Sequence, residues 1–178
     1  VMPCLQRKEK NFQNDFINNP LWIFGLLSNK NDDLFKKKIS DLFSICQKEN
    51  CIKSSSIEWM TNTEAEMVKY FRNTFLSVKV SFCNEIFEYC KLKNIDYDKV
   101  RKIAANDERI KLSHTQVPGH DGNMGFGGTC FPKDTNALLA DMKHNQMNSY
   151  VLKSVIERNE LVDRPQKDWA LDKGRAVV

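Results

Sequence analysis

The sequence has 178 residues, which is long enough for one sizeable hydrophobic core or slightly more. Its net charge of +4 is mild and its basic and acidic residues are mixed along the chain, so the composition argues against a nucleic-acid-binding protein. No apolar run reaches the roughly 18 residues that a membrane span needs, and the first residues, VMPCLQRKEKN, lack the apolar segment of a signal peptide.

A strand, a helix and a second strand are predicted in the first third of the chain. PLWIFGLLS (20–28) is a short apolar run rich in β-forming residues and bounded by turn residues. In NDDLFKKKISDLFSICQKEN (31–50) apolar residues recur at helical spacing, and Asn31 or Asp32 can cap the start. CIKSSS (51–56) is compatible with another short strand. This order is typical of the tail of an α/β domain.

A single long helix is predicted for 63–92, a stretch that contains neither Gly nor Pro. Thr63 and Glu66 fit a capping box at its start. Its apolar residues form one stripe that others widen beyond a single face: Met67, Val68, Phe71, Phe75, Leu76, Val78, Val80, Phe82, Cys83, Ile86, Phe87 and Cys90. Because so wide an apolar surface needs partners on several sides, we expect this helix to be the main contact of a homodimer.

Shorter helices and a glycine-rich loop are predicted after the long helix. In chain order they are a helix at 96–107, the loop at 113–130, a helix from about Pro132, and a helix at 149–163 that stops near Pro165. Asp96 is the expected cap of the first of them. The remaining residues, 164–178, are polar and are expected to be extended. The predicted fold is therefore mainly α with a small α/β portion.

Cys130 differs from the other cysteines in what precedes it. Five of the seven glycines fall within 119–128, and glycine permits positive φ and close backbone approach. The thiol lies where a helix begins, with Lys133 nearby, and both features favour a sulfur anion. Asp134 can orient a water or accept a proton. The alternative is a buried cysteine after a tight turn.

The other cysteines and the histidines indicate no metal site and no disulfide framework. The six cysteines form no C-x-x-C pair, and the histidines lack the pairing with cysteines that a zinc site shows. We therefore expect reduced, mostly buried thiols in a cytoplasmic protein.

Two segments carry a family resemblance. GFGGTCFPKD (125–134) resembles the active-site motif of the UDP-glucose 6-dehydrogenase family, within the UDP-glucose/GDP-mannose dehydrogenases, and EMVKYFRNTFLSVKVSFCNEI (66–86) resembles the start of its long central helix. The resemblance extends from about Asn11 to Lys173. It implies that 1–60 is the C-terminal end of a Rossmann-like NAD-binding domain, that 61–163 is a helical dimerisation and catalytic domain, and that 164–178 is an extended tail.

The resemblance also implies a reaction and its participants. The family oxidises the C6 alcohol of UDP-glucose, or of a related nucleotide sugar, to the carboxylate of a UDP-glucuronate in two NAD-dependent steps. A cysteine forms first a thiohemiacetal and then a thioester with the substrate. The implied partner of the chain is a second copy of itself, bound through helix 63–92.

Matching the motifs residue by residue assigns roles to individual side chains. Cys130 is the nucleophile, Lys69 stabilises an oxyanion, Asn73 reaches the same centre from the same helix face, and Asp134 helps to position water. The residues matched to substrate binding are Gly125, Phe126, Gly127, Gly128 and Arg109, the last of which reaches into the partner subunit's site in relatives. Lys133 is assigned to cofactor binding.

The sequence also departs from the family pattern. No G-x-G-x-x-G follows a strand, so we expect the isolated chain to lack a complete NAD site and to be inactive. Near the N-terminus, Cys4 replaces a family glutamate and Glu9 is out of register with a second one. The chain does not begin with Met, so we expect it to be a portion of a longer chain, such as the C-terminal part of a short member of the family. The alternative is a free-standing remnant with no activity of its own.

Two other functions remain open from the sequence. One is a non-catalytic helical dimerisation module derived from the same family. The other is an unrelated cysteine hydrolase, in which His114 or His120 would have to activate Cys130.

Overall fold

The computed structural model describes residues 12–170 of the chain. Its helices and strands are, in chain order, α1 (Phe12–Ile17), β1 (Trp22–Leu26), α2 (Asp32–Lys48), β2 (Ile57–Thr61), α3 (Asn62–Leu92), α4 (Tyr97–Ala104), α5 (Cys130–His144) and α6 (Val151–Arg158), followed by a π-helix (Asn159–Asp163) and a 3₁₀ turn (Asp168–Ala170). The prediction of a mainly α fold with a small α/β portion is confirmed. Cys4 and Glu9 lie outside the described residues.

Contacts within the chain divide it into two compact units, with the division between Lys69 and Tyr70. The first unit contains β1, α2 and β2. The two strands pair in parallel, with Trp22 opposite Ile57 and Leu26 opposite Thr61. Parallel neighbours cannot be joined by a tight turn, and α2 provides the crossover between them. The predicted strand at 20–28 and helix at 31–50 are thus confirmed.

Aromatic side chains form the core of the first unit. Trp22, Phe24 and Ile52 are buried. Phe43 of α2 packs edge-on against Trp22 and Phe24, with ring centroids 4.9 and 5.5 Å apart. The packing is the edge-to-face arrangement that aromatic rings prefer, and it holds α2 on one face of the strand pair.

The second strand lies at Ile57–Thr61, so the prediction of a strand at 51–56 is wrong. In that segment the Ser54 hydroxyl bonds to backbone groups instead. The Ser54 hydroxyl donates to the Pro20 carbonyl (2.9 Å), and the Ser56 N–H donates to Ser54 Oγ (3.2 Å). Such local hydrogen bonds compete with a strand ladder and bend the chain.

The long helix is confirmed, but its capping box begins two residues earlier than predicted. The Thr61 N–H donates to the Glu64 carboxylate (2.8 Å), and the Glu64 N–H donates to Thr61 Oγ1 (3.3 Å). The reciprocal pair fits the same S/T-x-x-E spacing as Thr63 and Glu66, so the pattern alone could not choose between them.

Two other predicted helix caps have different outcomes. Asp96 caps α4 as predicted, since its carboxylate accepts a hydrogen bond from the Lys99 N–H (3.1 Å). The Asn31 side chain makes no capping bond at α2. There, Asp32 accepts from the Asn29 N–H (3.0 Å), and the Asn29 side chain accepts from the Asn31 N–H (2.9 Å).

The second unit packs α4, α5 and α6 with the part of α3 that begins at Tyr70. Cys83 and Cys90 of α3 form a small core with Tyr97 of α4, whose hydroxyl donates to the Thr115 carbonyl (2.7 Å). A second core joins α5 to α6 through Leu139, Leu152 and Ile156. Outside both cores, the Cys130 side chain at the start of α5 is exposed.

Candidate active site

Cys130 is the first residue of α5, and its side chain is exposed. Its sulfur lies 4.0 Å from the Thr129 hydroxyl oxygen. The described cysteines are all free thiols, but the expectation that they are mostly buried holds only for Cys83 and Cys90. Cys51 is exposed like Cys130, although it lies in the turn after α2 and not at a helix start.

A polar cluster lies one turn into α5, around Asp134. This carboxylate is fully buried. One of its oxygens accepts from Lys133 Nζ (2.6 Å), and the other accepts from Asn73 Nδ2 (2.5 Å), which belongs to α3. The hydrogen bond with Asp134 raises the pKa of Lys133 above its usual value, more than burial lowers it. The structure therefore brings together three residues that the motifs selected.

The glycine-rich loop is held through its backbone by two buried asparagines. The Gly125 N–H donates to Asn84 Oδ1 of α3 (3.0 Å). The Phe126 N–H donates to Asn159 Oδ1 (2.8 Å), and Asn159 Nδ2 donates back to the Phe126 carbonyl (3.0 Å). Phe126 is itself buried, so this part of the loop is anchored by side chain and backbone together.

Gly125 and Gly127 are sites of close approach. Gly125 has φ of +67°, and a Cβ there would overlap Asn159 Oδ1 and lie 2.9 Å from the Asp163 Cβ. A Cβ at Gly127 would overlap the Arg164 guanidinium. The first position therefore requires glycine for its backbone conformation and its space, and the second requires it for space.

Arg164 is a buried arginine beside the loop. Its exposed fraction is 3%, and its guanidinium donates to Asp121 (2.7 Å) and to both carboxylate oxygens of Asp168 (2.6 and 2.5 Å). A buried charge is tolerated when it is paired and hydrogen-bonded in this way. Asp121 lies in the segment that leads into the loop, so these ion pairs connect that segment to the chain after the π-helix.

Arg158, which lies just before the π-helix, forms a second ion-pair network with Glu88 of α3 and with Asp163, the last residue of the π-helix. The Arg158 guanidinium lies 2.9 Å from the Glu88 carboxylate and 3.0 Å from Asp163 Oδ1. The second oxygen of Asp163 is buried without a hydrogen bond. Burial raises the pKa of Asp163 to about 6, although Arg158 opposes the shift.

The remaining predicted residues lie apart from this cluster or belong to the first unit. Lys69 is the last residue of the first unit, four residues before Asn73 on α3, and its catalytic role stays a prediction. Arg109 is highly exposed and pairs with Asp107 in the turn after α4. The His114 ring contacts the Phe131 ring at 5.7 Å, and its Nδ1 lies 3.3 Å from the Ser113 hydroxyl.

Sequence reasoning missed Asn84, Asn159 and Arg164. A signal for Asn84 was present: Asn73, Ser77, Ser81 and Asn84 recur at helical spacing within the apolar helix, and the last three are buried. Asn159 lies 33 residues from Phe126 and Arg164 lies 43 residues from Asp121, so no local pattern connects them to these partners.

The described residues offer no metal site and no membrane span. Across residues 12–170, no three His, Cys, Asp or Glu side chains gather closely enough to hold a metal ion. Within the same bounds, no helix is both long and apolar enough to cross a bilayer.

Known proteins match most of the chain. Residues 63–161 match the model of the UDP-glucose/GDP-mannose dehydrogenase family, central domain. UDP-glucose 6-dehydrogenase TuaD of Bacillus subtilis is 38% identical over 123 residues, covering 66% of this chain and 26% of that protein. A UDP-glucose 6-dehydrogenase of Rickettsia bellii is 30% identical over 158 residues, covering 89% of this chain and 33% of that protein.

A solved structure agrees with the sequence matches. The structure of a UDP-glucose dehydrogenase from the hyperthermophilic archaeon Pyrobaculum islandicum superimposes with a TM-score of 0.65 at 28% identity, over 83% of this chain and 30% of that one. The chain thus spans about a quarter to a third of the length of these relatives.

Proposed function

Because the chain belongs to the UDP-glucose/GDP-mannose dehydrogenase family, we propose that it supplies the central, catalytic part of an NAD-dependent UDP-glucose 6-dehydrogenase. The enzyme oxidises the C6 alcohol of the sugar to a carboxylate in two steps. The observation that carries the proposal is the exposed Cys130 thiol at the start of α5, placed between an anchored glycine-rich loop and the buried Asp134 cluster.

Cys130 is the nucleophile of the second oxidation. Its sulfur forms a bond to the C6 aldehyde carbon while the carbonyl oxygen gains a proton, which gives a thiohemiacetal. Once a hydride has left that carbon and the hydroxyl proton has been released, a thioester remains. Water then cleaves the carbon–sulfur bond, releasing the carboxylate and restoring the thiol. The helix N-terminus at Cys130 stabilises negative charge on the attacking sulfur.

The Asp134 cluster positions the polar groups around this centre. Because the carboxylate is fully buried, it acts through groups that it holds, among them Lys133 and Asn73. Lys133 stays protonated, since its pKa is raised by that contact, and it can stabilise a developing oxyanion. Asn73 is fixed with its amide nitrogen on Asp134, which leaves its carbonyl oxygen as an acceptor for water or a sugar hydroxyl.

NAD⁺ is the oxidant that family membership implies, and it supplies the hydride acceptor for both steps. The β1–β2 pair is parallel, as in a dinucleotide-binding sheet, but Leu27, Ser28 and Asn29 follow β1 with no glycine turn for a pyrophosphate. The described residues therefore do not form a complete NAD site. The assignment of Lys133 to cofactor binding stays a prediction.

We further propose that a second copy of the chain covers one face of α3. Phe71, Phe75, Phe82 and Tyr89 on this helix are all more than half exposed. Beside them, a cavity of about 290 Å³ is lined mostly by apolar side chains, among them Ile86 and Val100, and by three basic side chains, one of which is Arg109. An apolar surface of this extent is typical of an interface, and the exposed Arg109 would lie at its rim.

The test is a fusion protein. The dinucleotide-binding part of the Bacillus subtilis relative is joined to the N-terminus of this chain, and NADH absorbance is followed with UDP-glucose. We expect turnover from the fusion and none from the 178-residue chain alone, because hydride transfer needs the nicotinamide held against the sugar carbon. In the fusion, Cys130→Ser should abolish formation of the acid, and Lys69→Ala should slow it by about 10²–10³-fold.

Cys51→Ser is the matched control, since Cys51 is an exposed thiol outside the site. It should leave turnover unchanged. Equal loss in both serine variants would contradict the nucleophile assignment. A folded, dimeric fusion that never produces NADH would support the non-catalytic dimerisation module instead.

A further inference from the structure

Asn159 is a buried side chain whose polar atoms are both used on one residue of the glycine-rich loop. Only 1% of it is exposed. Its Oδ1 accepts from the Phe126 N–H at 2.8 Å and its Nδ2 donates to the Phe126 carbonyl at 3.0 Å. The pair of bonds closes a ring like that between neighbouring strands, and it fixes the position and orientation of the Phe126 backbone.

The loop backbone is shaped to receive this carboxamide. Any side chain at Gly125 would overlap Asn159 Oδ1, so glycine is required there for the bonds to form. The adjacent Gly125 N–H is held by Asn84 from α3. Two consecutive loop residues are therefore fixed from two different helices, four and five residues before the Cys130 thiol.

The residues after this clamp, by which we mean the hydrogen bonds of Asn159 and Asn84 to the loop backbone, differ in how closely they are packed. Gly128 has φ of +67° and no atom within 4 Å of the place where its Cβ would lie. A Cβ at Gly127 would overlap the Arg164 guanidinium. The fixed point at Phe126 thus sets where a short glycine segment starts, and α5 sets where it ends.

We infer that Asn159 is a positioning residue for substrate binding: it holds the glycine-rich loop in the conformation that receives the nucleotide sugar. The inference rests on the proposed function for the identity of the ligand, but the loop contact stands on the geometry alone. Asn159 acts through the Phe126 backbone and takes no part in the chemistry at sulfur.

The test compares Asn159→Asp with Ile156→Val in the full chain. The aspartate keeps the size and the acceptor but replaces the donor with an oxygen facing the Phe126 carbonyl. Ile156→Val removes one methylene from the α5–α6 core and touches no loop residue, so it lowers stability without changing the clamp. Hydrogen–deuterium exchange of the 119–129 segment and calorimetric titration with UDP-glucose are the two measurements.

We expect Asn159→Asp to speed exchange in 119–129 by about tenfold or more, because a buried bond is lost and a carbonyl is left facing a carboxylate. UDP-glucose affinity should fall by a similar factor, while Ile156→Val keeps wild-type values for both. The inference would be overturned if the 119–129 segment exchanged at the same rate in Asn159→Asp and in Ile156→Val. It would also be overturned if Asn159→Asp exchanged faster but bound UDP-glucose with wild-type affinity. If neither the wild-type chain nor the wild-type fusion binds UDP-glucose while the exchange result holds, the proposed function fails and the loop clamp stands.

Discussion

Protonation of Asp163 should stabilise the second unit as the pH falls, whereas acidification usually destabilises a fold through its carboxylates. Its side chain is fully buried at the end of the π-helix, beside Gly125 of the loop. Arg158 contacts one carboxylate oxygen at 3.0 Å, and the other oxygen has no hydrogen bond. Burial raises the pKa, Arg158 lowers it, and the nearby Glu88 and Glu85 raise it further, with a result of about 6 against an ordinary value of 3.8.

The direction of the pH effect depends on whether the proton binds more tightly to the folded or to the unfolded state. A carboxyl whose pKa is higher in the folded state than in the unfolded state holds its proton better when folded, so ionisation lowers stability above pH 6. That loss is recovered as the pH falls from about 6 to 3.8. A shift of roughly two pKa units, at about 1.4 kcal/mol each, makes the recovered free energy of unfolding about 3 kcal/mol at most.

The assay is urea unfolding followed by circular dichroism at about pH 7.5 and about pH 4.5, for the wild type and Asp163→Asn. Other carboxyls titrate in the same window, so the informative quantity is the difference between the two proteins. We expect this difference to move in favour of the wild type by up to about 2 kcal/mol at pH 4.5, because asparagine cannot ionise and the full recovery needs a pH below 3.8.

Asp168→Asn is the matched control with the opposite sign. The hydrogen bond from Arg164 lowers the pKa of Asp168, so its ionised form stabilises the fold and that contribution is lost as the pH falls. Relative to Asp168→Asn, the wild type should therefore hold its stability down to about pH 4.5 and lose it only as the pH falls below 3.8. A wild-type to Asp163→Asn difference that is flat with pH would refute the reasoning.

Two further predictions concern thiol reactivity and assembly. Brief treatment with iodoacetamide, followed by mass spectrometry, should modify Cys130 before Cys51, although both are exposed, because only Cys130 lies at a helix N-terminus; faster labelling of Cys51 would contradict the assignment. In sedimentation velocity the chain should run as a dimer at micromolar concentration, and Phe75→Asp on α3 should give monomer, whereas Leu34→Asp on the exposed face of α2 should not; a monomeric wild type would count against the interface.

The predictable part of the fold is the part that local patterns encode. The apolar run of β1, the helical spacing of α2 and the uninterrupted α3 are each stabilised by contacts that repeat along a short stretch of sequence. The motif around Cys130 is likewise contiguous, so Lys133, Asp134 and the loop glycines could be selected from their neighbours. Asn73 lies outside this motif, and its helical spacing from Lys69 was sufficient to select it.

The unpredicted part depends on contacts between distant residues or on a choice among similar local signals. Arg164 lies in a polar stretch of sequence, yet it is buried beside Gly127. Its charge is tolerated there because it pairs with Asp168 and with Asp121, which is 43 residues away. The serines at 54–56 have strand-compatible neighbours, yet the Ser54 hydroxyl bonds to the Pro20 carbonyl, the Ser55 hydroxyl bonds to the Gln47 side chain, and the strand begins only at Ile57. Two overlapping S/T-x-x-E patterns competed at the start of α3, and only tertiary structure decides between them.

α3 has two different faces: one carries polar residues that contact the candidate active site, and the other carries exposed aromatic residues. At 100° per residue, Asn73, Ser77, Ser81 and Asn84 cluster on one side, and the exposed Phe71, Phe75, Phe82 and Tyr89 lie roughly 140° away. Asn73 holds Asp134 and Asn84 holds Gly125, so one helix face fixes both ends of the 125–134 motif. The opposite face is the proposed interface.

A rotation of α3 would therefore disturb the motif and the interface together. Inserting one residue between Phe75 and Phe82 would turn the Asn84 contact by about 100° away from Gly125 and carry Phe82 out of line with Phe75. The 31-residue helix has no glycine or proline at which it could bend to compensate. This rigidity gives the proposed dimer a direct mechanical connection to the loop that leads to Cys130.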